Sequence, residues 1–404
     1  MNKLTHKRII LGVTGSIAAY KSAELLRLLQ EQGAEVRVVM TRAACEFITP
    51  LTMQALSGHP VHLELLDPEM EAGMGHIELA RWCDLVLVAP ASANFLAKLT
   101  HGQADDLLST LCLATTAPIM VAPAMNQQMW LNQATQDNVK TLVARQVYIQ
   151  GPAAGEQACG ETGPGRMLEP EQLLQGLIDI FHTRLLANTR LLVTAGPTRE
   201  AIDPVRYLSN RSSGRMGYAI ARAAAEADAD VTLVSGPTVL TPPENINFIA
   251  VRSAEEMRTA VMTHIDTMNI MVAAAAVADY RSALVADQKI KKQADALTLI
   301  LEKTPDILAE VTQLEHPPFT VGFAAETENL KENAIKKLAN KKLNMIAANL
   351  VGENLGFDSI ENALSVFWQG GYIELVKASK DKLARQLISI IAEQYCGKKS
   401  NQLH

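Results

Sequence analysis

Short apolar runs alternate with helical patterns along this chain, and the alternation occurs twice. The first series begins with a strand-like run at 8–13, a helical pattern over 17–32 and a second run at 35–40. The second series restarts at 190–194. Further strand-like runs lie at 85–89, 119–122, 231–235, 270–274, 320–324 and 345–348. Strands that alternate with helices pair in parallel, so the pattern predicts two doubly wound α/β domains, at 1–189 and 190–404.

A few segments depart from this plan. The stretch 151–165 is rich in Gly, Pro and Ala and has no apolar period, so we expect a mobile loop there. In the second half, 288–292 can pair with 297–302 as a hairpin, and 363–368 can pair with 372–376. We therefore expect extra antiparallel strands in the second domain.

The composition is that of a globular protein. Of the 404 residues, 48% are hydrophobic and 20% are charged, and the formal net charge of -6 argues against a nucleic-acid partner. No apolar run reaches the roughly 18 residues needed to span a membrane. The first eight residues contain no apolar signal region, so we expect a cytoplasmic protein without a membrane partner. The five scattered cysteines suggest neither a disulfide framework nor a zinc site.

The turn after the first strand can bind a phosphate. Gly12 and Gly15 allow close backbone approach at the start of a helix, whose N-terminus attracts anions. The G-x-x-G spacing is not that of a dinucleotide site, and Met40-Thr41-Arg42 stands where such a site requires an acid. A mononucleotide phosphate with Ser16 and Thr41 as hydroxyl donors fits better. The alternative is an ordinary α/β turn.

Three further segments of the first half carry polar groups after strands or between glycines. Asn126, in the run 123–130, follows a strand and can hold a carboxylate or a flavin edge, although a loop with packed side chains is equally compatible. His76 lies between glycine neighbours and can transfer protons near neutral pH, or be structural. Cys159 lies on a glycine-rich loop, where a lid carrying a proton donor would explain an exposed thiol.

Five ordered motifs over residues 7–185 resemble the homo-oligomeric flavin-containing cysteine decarboxylases, which include phosphopantothenoylcysteine decarboxylases. The motifs are GSIAAYK, GHIELA, PASANFLAK, PAMNQQMW and ACGETGPGRM. The resemblance implies a flavodoxin-like flavoprotein fold with FMN bound between the subunits of a trimer. It also implies that the substrate is decarboxylated to 4'-phosphopantetheine through a thioaldehyde that the flavin generates.

The same resemblance assigns roles to individual residues. His76 assists oxidative decarboxylation, Asn126 holds the substrate carboxylate, and Cys159 donates a proton during the final reduction. The FMN-binding residues it implies are Gly15, Ser16, Ala18, Thr41, Ser92 and Asn94.

The second half contains another set of strand-end polar residues. Gly214 and Gly217 precede a helical pattern and can seat a phosphate, although ordinary Rossmann-like turns also have such glycines. A short stretch brings together Arg206, Asn210 and Arg211, which suits phosphate and acyl recognition or a solvated loop. Asp279 follows a small apolar run and can meet a base, ribose or metal. Lys289 and Lys291 would share one face of a strand, beside a triphosphate or as an ordinary charged edge.

Residues 190–395 resemble the bacterial type of phosphopantothenate–cysteine ligase domain. A long block, LVTAGPTREAIDPVRYLSNRSSGRMG, is followed in order by AAAVADYR, KIKK, KTPDIL and VGFAAET. The resemblance implies that CTP activates 4'-phosphopantothenate as an acyl-cytidylate, with loss of pyrophosphate, before the amine of L-cysteine attacks. Asn210 would serve the second half-reaction, and Arg206 would lie near the acyl phosphate.

The ligase resemblance also implies a CTP site with Mg²⁺ at Asp279. Its CTP-binding residues would be Ala273, Ala274, Ala275, Asp279, Lys289, Pro305, Asp306, Ile307, Leu308, Phe323, Lys337 and Lys341. The chain departs from the family pattern at Asn344 and Leu350, where the family has acids. The choice of CTP over ATP rests on the resemblance alone.

The resulting interpretation is a bifunctional enzyme of coenzyme A biosynthesis in which the ligase product is the decarboxylase substrate. By resemblance, its decarboxylase domains form trimers and its ligase domains form dimers, and a dodecamer satisfies both symmetries. One alternative is a nicotinamide-dependent oxidoreductase, which the missing acid after the second strand disfavours. Another is a non-catalytic flavoprotein-like regulatory subunit, which is disfavoured because His76, Asn126 and Cys159 are all present.

Overall fold

The chain folds into two compact units. The computed structural model describes residues 3–65, 75–291, 297–326, 328–350 and 361–402, with side chains as far as residue 397. The first unit is Met1–Phe181 and the second is His182–His404. The division precedes the domain boundary expected after residue 189, because Leu186 is buried in the core of the second unit and its amide donates to the carbonyl of Ala227.

The strands of the first unit follow the predicted alternation. They are β1 Arg8–Val13, β2 Glu35–Met40, β3 Leu85–Ala91, β4 Ile119–Pro123, β5 Tyr148–Ile149, β6 Ala153–Glu156 and β7 Thr162–Arg166. The helices are α1 Tyr20–Glu31, α2 Pro50–Ser57, α3 Gly75–Trp82, α4 Ala93–His101, α5 Leu107–Ala114, α6 Gln127–Leu131, α7 Gln133–Ala144 and α8 Pro170–Phe181. Short 3₁₀ turns, Ile17–Ala19 and Arg42–Glu46, follow β1 and β2.

Within the described part of the first unit, β1 to β5 form a parallel sheet in the order β2-β1-β3-β4-β5. Alternate side chains of β1 and β3 enter opposite layers, so both faces of the sheet are covered. Helices α1, α2 and α8 pack on one face, while α3, α4, α5 and α7 pack on the other. This is the flavodoxin-like arrangement that the sequence predicted.

The prediction of an unstructured loop over 151–165 is wrong for most of that segment. Strands β6 and β7 pair as an antiparallel hairpin, with register partners Gly155 and Gly163 near its middle. The glycines of the two strands hide the alternating pattern that predicts a strand. A contact with a distant part of the chain fixes the hairpin: the amide of Met125 donates to the carbonyl of Gly165 at 2.9 Å.

The second unit contains more strands. They are β8 Arg190–Ala195, β9 Arg199–Ala201, β10 Tyr207–Ser209, β11 Asp230–Ser235, β12 Asn247–Ala250, β13 Ile270–Ala273, β14 Tyr280–Ser282, β15 Leu301–Lys303, β16 Phe319–Glu326, β17 Met345–Leu350, β18 Glu361–Trp368 and β19 Gly371–Ser379. The helices are α9 Arg215–Glu226, α10 Ala254–His264, α11 Ile307–Thr312, α12 Leu330–Asn340 and α13 Lys380–Gln402, with a 3₁₀ turn at Ile265–Thr267.

The described residues of the second unit form an eight-stranded sheet in the order β12-β11-β8-β13-β16-β17-β18-β19. The strands from β12 to β17 pair in parallel, whereas β17, β18 and β19 pair antiparallel. The predicted hairpin of 363–368 with 372–376 is therefore confirmed, and so is a Rossmann-like domain with added antiparallel strands.

The other predicted hairpin is wrong. β15 pairs with β14, not with 288–292, and residues 288–291 are not in a strand. Lys289 and Lys291 therefore do not share a strand face, and Lys292 lies outside the described residues. In the described ranges, no helix is both long and apolar enough to cross a membrane.

Candidate active sites

In the first unit, the predicted FMN residues lie at one edge of the sheet. Gly15, Ser16 and Ala18 follow β1, Thr41 follows β2, and Ser92 and Asn94 follow β3. The strand order reverses between β1 and β3, and the crevice outside the carboxyl ends of strands at such a point is where open α/β sheets bind ligands. The fold therefore brings together residues that are far apart in sequence.

A hydrogen-bonded link connects the loops after β1 and β3. The Thr14 hydroxyl donates to the carbonyl of Pro90 at 2.8 Å and accepts from the amide of Ser92 at 3.0 Å. Ser16 accepts from the amide of Ala18, and Ser92 caps α4 by accepting from Phe95. These contacts place the hydroxyl and amide groups at the starts of two helices, where an anion is stabilised.

These residues fit a flavin nucleotide. The turn Ile17–Ala19 and α1 together offer a helix N-terminus for a phosphate, and Asn94, in the first turn of α4, has an exposed side chain. Ile17 and Tyr20, on the same segment, are each 63% exposed, so apolar surface lies next to the anion-binding groups. A ligand with a phosphate and a large aromatic ring system matches that combination.

Asn126 and Cys159 lie together, although 33 residues separate them. Asn126 caps α6: its Oδ1 accepts from the amide of Gln128 at 2.8 Å. Its Nδ2 donates to Glu161 Oε2 at 2.8 Å and to Gln157 Oε1 at 3.3 Å, and lies 3.5 Å from Cys159 Sγ. The β6–β7 hairpin thus holds an exposed thiol beside the amide that was predicted to bind a carboxylate.

Glu161 is a site residue that the sequence interpretation missed. Hydrogen bonds from Asn126 first, and from Gln127 second, lower the pKa of its carboxyl group. The only signal in the sequence was its place two residues after Cys159, within the same motif. The Glu161 carboxylate accepts a hydrogen bond from Asn126 Nδ2, which a substrate carboxylate would otherwise accept.

His76 lies in the first turn of α3 and is half-buried. Its Nδ1 is buried and has no hydrogen-bond partner among the residues that the structure describes. Within the part of the chain that the structure describes, no hydrogen bond joins His76 to Asn126 or to Cys159. Its role therefore stays a prediction.

The second unit contains a cleft of about 760 Å³. Most of the predicted nucleotide-binding residues line it, and so does Asn210, which was predicted for the second half-reaction; together they come from five separate segments. They are Asn210, Ala273, Ala274, Ala275, Asp279, Pro305, Asp306, Ile307, Leu308, Phe323, Lys337 and Lys341. Lys289 and Arg206 are not among the lining residues, so their predicted contacts with substrate are not seen here.

Two lysines and an aspartate make one wall of the cleft. Lys341 Nζ lies 2.7 Å from Asp306 Oδ2, and Asp306 caps α11 by accepting from Ala309. Burial raises the pKa of Asp306, but the hydrogen bonds from Lys341 and Ala309 outweigh it and the net pKa is lowered. Burial, followed by repulsion from Lys341, lowers the pKa of Lys337, whose Nζ donates to the carbonyl of Phe323 at 3.0 Å.

The N-terminus of α9 makes another wall. Its cap, Gly214, has a φ of 75°, which favours glycine. Gly217 allows α9 to pack tightly on β8, since an added Cβ would lie 2.5 Å from the Cβ of Ala195. Ser212 and Ser213 line the cleft beside them. The free amides and the dipole of a 12-residue helix suit a phosphate, as the two glycines predicted.

Several other residues that line the cleft were missed. Asn349, Asn362, Lys303 and Lys380 all contribute, and Lys380 is 7% exposed. Lys303 is the first residue of the KTPDIL motif, whereas Lys380 follows β19 and no motif in the sequence indicates it. The cleft is thus rich in cationic side chains that suit a polyphosphate.

The structure explains one of the two departures from the ligase pattern. Asn344 Oδ1 accepts from the amide of Thr320 at 2.8 Å, and the amide of Asn344 donates to the carbonyl of Thr320. Asn344 therefore has a structural role where β16 and β17 begin, away from the cleft lining. Leu350 ends β17 and is 53% exposed, and nothing in the structure explains that substitution.

Among the described residues, no group of three or more His, Cys, Asp or Glu side chains is placed to hold a metal ion. Two carboxylates line the described part of the cleft, Asp279 and Asp306, and Asp306 is paired with Lys341, so Asp279 would meet a metal ion by itself. A lone carboxylate fits Mg²⁺ held mainly by the phosphate oxygens of a nucleotide, because Mg²⁺ commonly combines one or two carboxylates with substrate phosphates.

Comparison with known proteins matches both units. The family described as Flavoprotein covers residues 1–182, and the DNA/pantothenate metabolism flavoprotein C-terminal domain covers 186–395. The coenzyme A biosynthesis bifunctional protein CoaBC of Vibrio cholerae is 56% identical over 398 residues, which are 98% of this chain and 100% of that protein. The chain belongs to the CoaBC family. Family membership confirms the predicted bifunctional enzyme of coenzyme A biosynthesis, with carboxy-lyase and ligase activities.

Two other CoaBC proteins show the extent of the match. The Escherichia coli K12 protein is 51% identical over 398 residues, covering 97% of this chain and 98% of that protein. A crystal structure of the C-terminal domain of a CoaBC protein is 40% identical, with a TM-score of 0.45, and covers 52% of this chain and 97% of that one.

Proposed function

We propose that the cleft of the second unit joins L-cysteine to 4'-phosphopantothenate with CTP, and that the first unit decarboxylates the product with FMN. The observation that carries the ligase half is the convergence of Asp279, Lys337, Lys341 and the α9 N-terminus on one cleft. This combination matches a nucleoside triphosphate with its metal ion.

In the ligase reaction, the pantothenate carboxylate attacks the α-phosphorus of CTP and pyrophosphate leaves. The amine of cysteine then attacks the acyl carbon, which releases CMP and forms the amide. Lys337 and Lys341 stabilise the negative charge of the phosphates, and Asp279 shares the Mg²⁺. Asn210, whose Nδ2 donates to the carbonyl of Val277 at 2.9 Å, is held at the cleft for the second step.

In the decarboxylase reaction, Gly15, Ser16, Ala18, Thr41, Ser92 and Asn94 hold the FMN. When bound, the flavin supplies the reversible two-electron oxidation of the substrate thiol that makes loss of CO₂ feasible. Asn126 orients the substrate carboxylate, and Cys159 gives a proton to the decarboxylated product. The contacts between Asn126 and the hairpin support these two roles, because the Asn126 amide and the Cys159 thiol lie side by side.

We also propose a cytoplasmic homo-oligomer, since the substrates of a coenzyme A pathway and CTP are cytoplasmic metabolites. Its decarboxylase units would form trimers and its ligase units dimers, and a dodecamer would satisfy both.

The test is mass spectrometry of the products formed by the purified yellow protein from 4'-phosphopantothenate, cysteine and Mg²⁺, with CTP or ATP. Phosphopantetheine formed with CTP and not with ATP is expected. If phosphopantothenoylcysteine alone accumulates, the flavin half of the proposal fails. If nothing forms, synthetic phosphopantothenoylcysteine tests the first unit alone, and its failure to react refutes the proposal for both units.

A further inference from the structure

A fully buried carboxylate outside the cleft lining connects Arg206, a predicted ligase residue, to Ile290, which follows the predicted ligase residue Lys289. The side chain of Asp203, in the loop between β9 and β10, has an exposed fraction of 0%. Its Oδ1 accepts from the amides of Val205 and Arg206, each at 2.8 Å. Its Oδ2 accepts from Arg206 Nε at 3.0 Å and from Nη2 at 2.6 Å. These bonds, above all those from the guanidinium, hold the pKa of Asp203 well below its usual range.

The same carboxylate reaches a distant part of the chain. The amide of Ile290 donates to Asp203 Oδ2 at 3.1 Å, and Arg206 Nη2 donates to the carbonyl of Ile290 at 3.0 Å. Nearby, the amide of Ala286 donates to the carbonyl of Ile202 at 3.0 Å. The irregular segment 286–290 is thus held at both ends by the 202–206 loop.

Lys289 lies between those two attachment points, and its side chain is exposed. No regular strand fixes this segment, so the position of the Lys289 backbone depends on the bonds of Ile290 and Ala286. A side chain presented from a fixed backbone loses less conformational entropy on binding a ligand than one on a free segment.

We propose that Asp203 is a positioning residue of the ligase reaction, which fixes Ile290 and thereby presents Lys289 to the triphosphate. This inference rests on the proposed function, and it takes from the family resemblance the CTP-binding role of Lys289, which is not among the residues that line the cleft in this structure. Arg206 contributes to the same arrangement, because it neutralises the buried carboxylate and donates a hydrogen bond to the carbonyl of Ile290. Asp203 touches no substrate and acts through its two partners.

Asp203→Asn in the full-length protein tests the proposal. The amide keeps the volume of the side chain but removes its charge and one acceptor oxygen. We expect kcat/KM for CTP to fall about 10²-fold, the scale of a misplacement of about 1 Å, with an unchanged KM for cysteine. Hydrogen exchange at the Ile290 amide should become faster. Decarboxylation of supplied phosphopantothenoylcysteine should stay within about 2-fold, because the first unit is untouched.

Asp228→Asn is the matched control, because it removes the charge of an exposed aspartate that pairs with Arg184 in the same unit. It should leave both activities and the exchange at Ile290 unchanged. If Asp203 had only a structural role, Asp203→Asn would lower the stability of the unit and would not reduce kcat/KM for CTP selectively over the kinetics with cysteine.

A double-mutant cycle with Lys289→Met decides whether Asp203 acts through Lys289. The double variant should be no more than about 3-fold worse than Lys289→Met alone. Losses that multiply, or exchange at Ile290 that stays slow in Asp203→Asn, would overturn the proposal. A wild-type protein with no CTP-dependent ligation would instead refute the proposed function, and this inference with it.

Discussion

At the scale of single residues, Cys159 shows how a side chain can be assigned a role from its surroundings. Its thiol is exposed and lies 3.5 Å from the Asn126 amide, whereas Cys83 and Cys112 are buried among apolar side chains. Burial raises the pKa of Cys112, which makes that thiol a poor candidate for chemistry. An accessible thiol beside an amide that is predicted to bind a carboxylate is suited to proton donation.

Cys159→Ser should therefore decarboxylate its substrate but stall before reduction. Formation of phosphopantetheine should fall at least about 10²-fold, the usual loss for a missing general acid. A product with two fewer hydrogens should accumulate, which mass spectrometry can detect. Cys396→Ser changes another exposed cysteine, in the second unit, and should behave as wild type. Normal turnover by Cys159→Ser would refute the assignment.

Lys337 predicts a pH dependence for the ligase. In the proposed reaction its charge attracts the triphosphate, and this charge is lost as the pH rises through the pKa of Lys337, which burial and Lys341 lower from the ordinary 10.5. The value of kcat/KM for CTP should therefore decline at alkaline pH, starting below the range of an ordinary lysine.

Lys341→Met provides the check on that interpretation. Removing the neighbouring positive charge should raise the pKa of Lys337 and move the alkaline decline to higher pH, whatever happens to the absolute rate. Steady-state kinetics over a pH series measure this directly. A decline at the same pH in both proteins would show that another group titrates.

At the scale of secondary-structure elements, the pairing of β14 with β15 shapes the ligase cleft. Because Tyr280 pairs with Lys303, the segment that follows β15 begins beside Asp279. The amide of Thr304 donates to the carbonyl of Asp279 at 3.0 Å, and Pro305 to Leu308 then line the cleft. If β15 had paired with 288–292 instead of with β14, Pro305 to Leu308 would not have been placed beside Asp279.

Gly165 is the glycine of the β6–β7 hairpin at which an added side chain would collide with backbone. Gly165 has a φ of 142°, and an added Cβ would collide with the carbonyl oxygen of Met125. Gly165→Ala should therefore displace the hairpin, separate Cys159 from Asn126, and reduce decarboxylation by about 10²-fold while ligation is unchanged. Paired assays of the two activities measure this.

Gly163→Ala is the comparison for that variant. Its added Cβ would first meet the amide end of the Gln127 side chain, which can rotate away, so a smaller loss is expected. Equal losses in the two variants would contradict the special role of Gly165.

At the scale of the whole molecule, the chain consists of two units with separate cores and separate sites. Residues 1–181 and 182–404 should fold and act when produced separately, because each unit has its own sheet and buried core. Assays of decarboxylation and of ligation measure this, and an insoluble or inactive half would contradict it.

A mixture of the two halves also tests whether the fusion transfers the intermediate. The lag before phosphopantetheine appears should be compared in the fused protein and in an equimolar mixture of the halves. Equal lags would mean that the intermediate diffuses freely between sites. A shorter lag in the fused chain would indicate transfer within one molecule.

The amino-acid sequence by itself determined the main parallel strands and the edge of each sheet where the candidate site residues lie. Apolar runs such as Arg8–Val13 and Arg190–Ala195 gain stability only when both faces are buried, so their period predicts parallel sheets covered by helices. Because parallel strands share one carboxyl edge, Ser16, Ser92 and Asn126 had to lie along the same edge of the sheet. Family resemblance supplied the chemistry of those residues.

Only the tertiary structure decided which distant groups meet. Several short segments can accept the same backbone hydrogen bonds, so the sequence could not choose β14 over 288–292 as the partner of β15. Nor could it show that the hairpin carries Cys159 and Glu161 to Asn126, or that Asp203 holds Ile290. These contacts join residues far apart in the chain, and their stability depends on burial and geometry that exist only after folding.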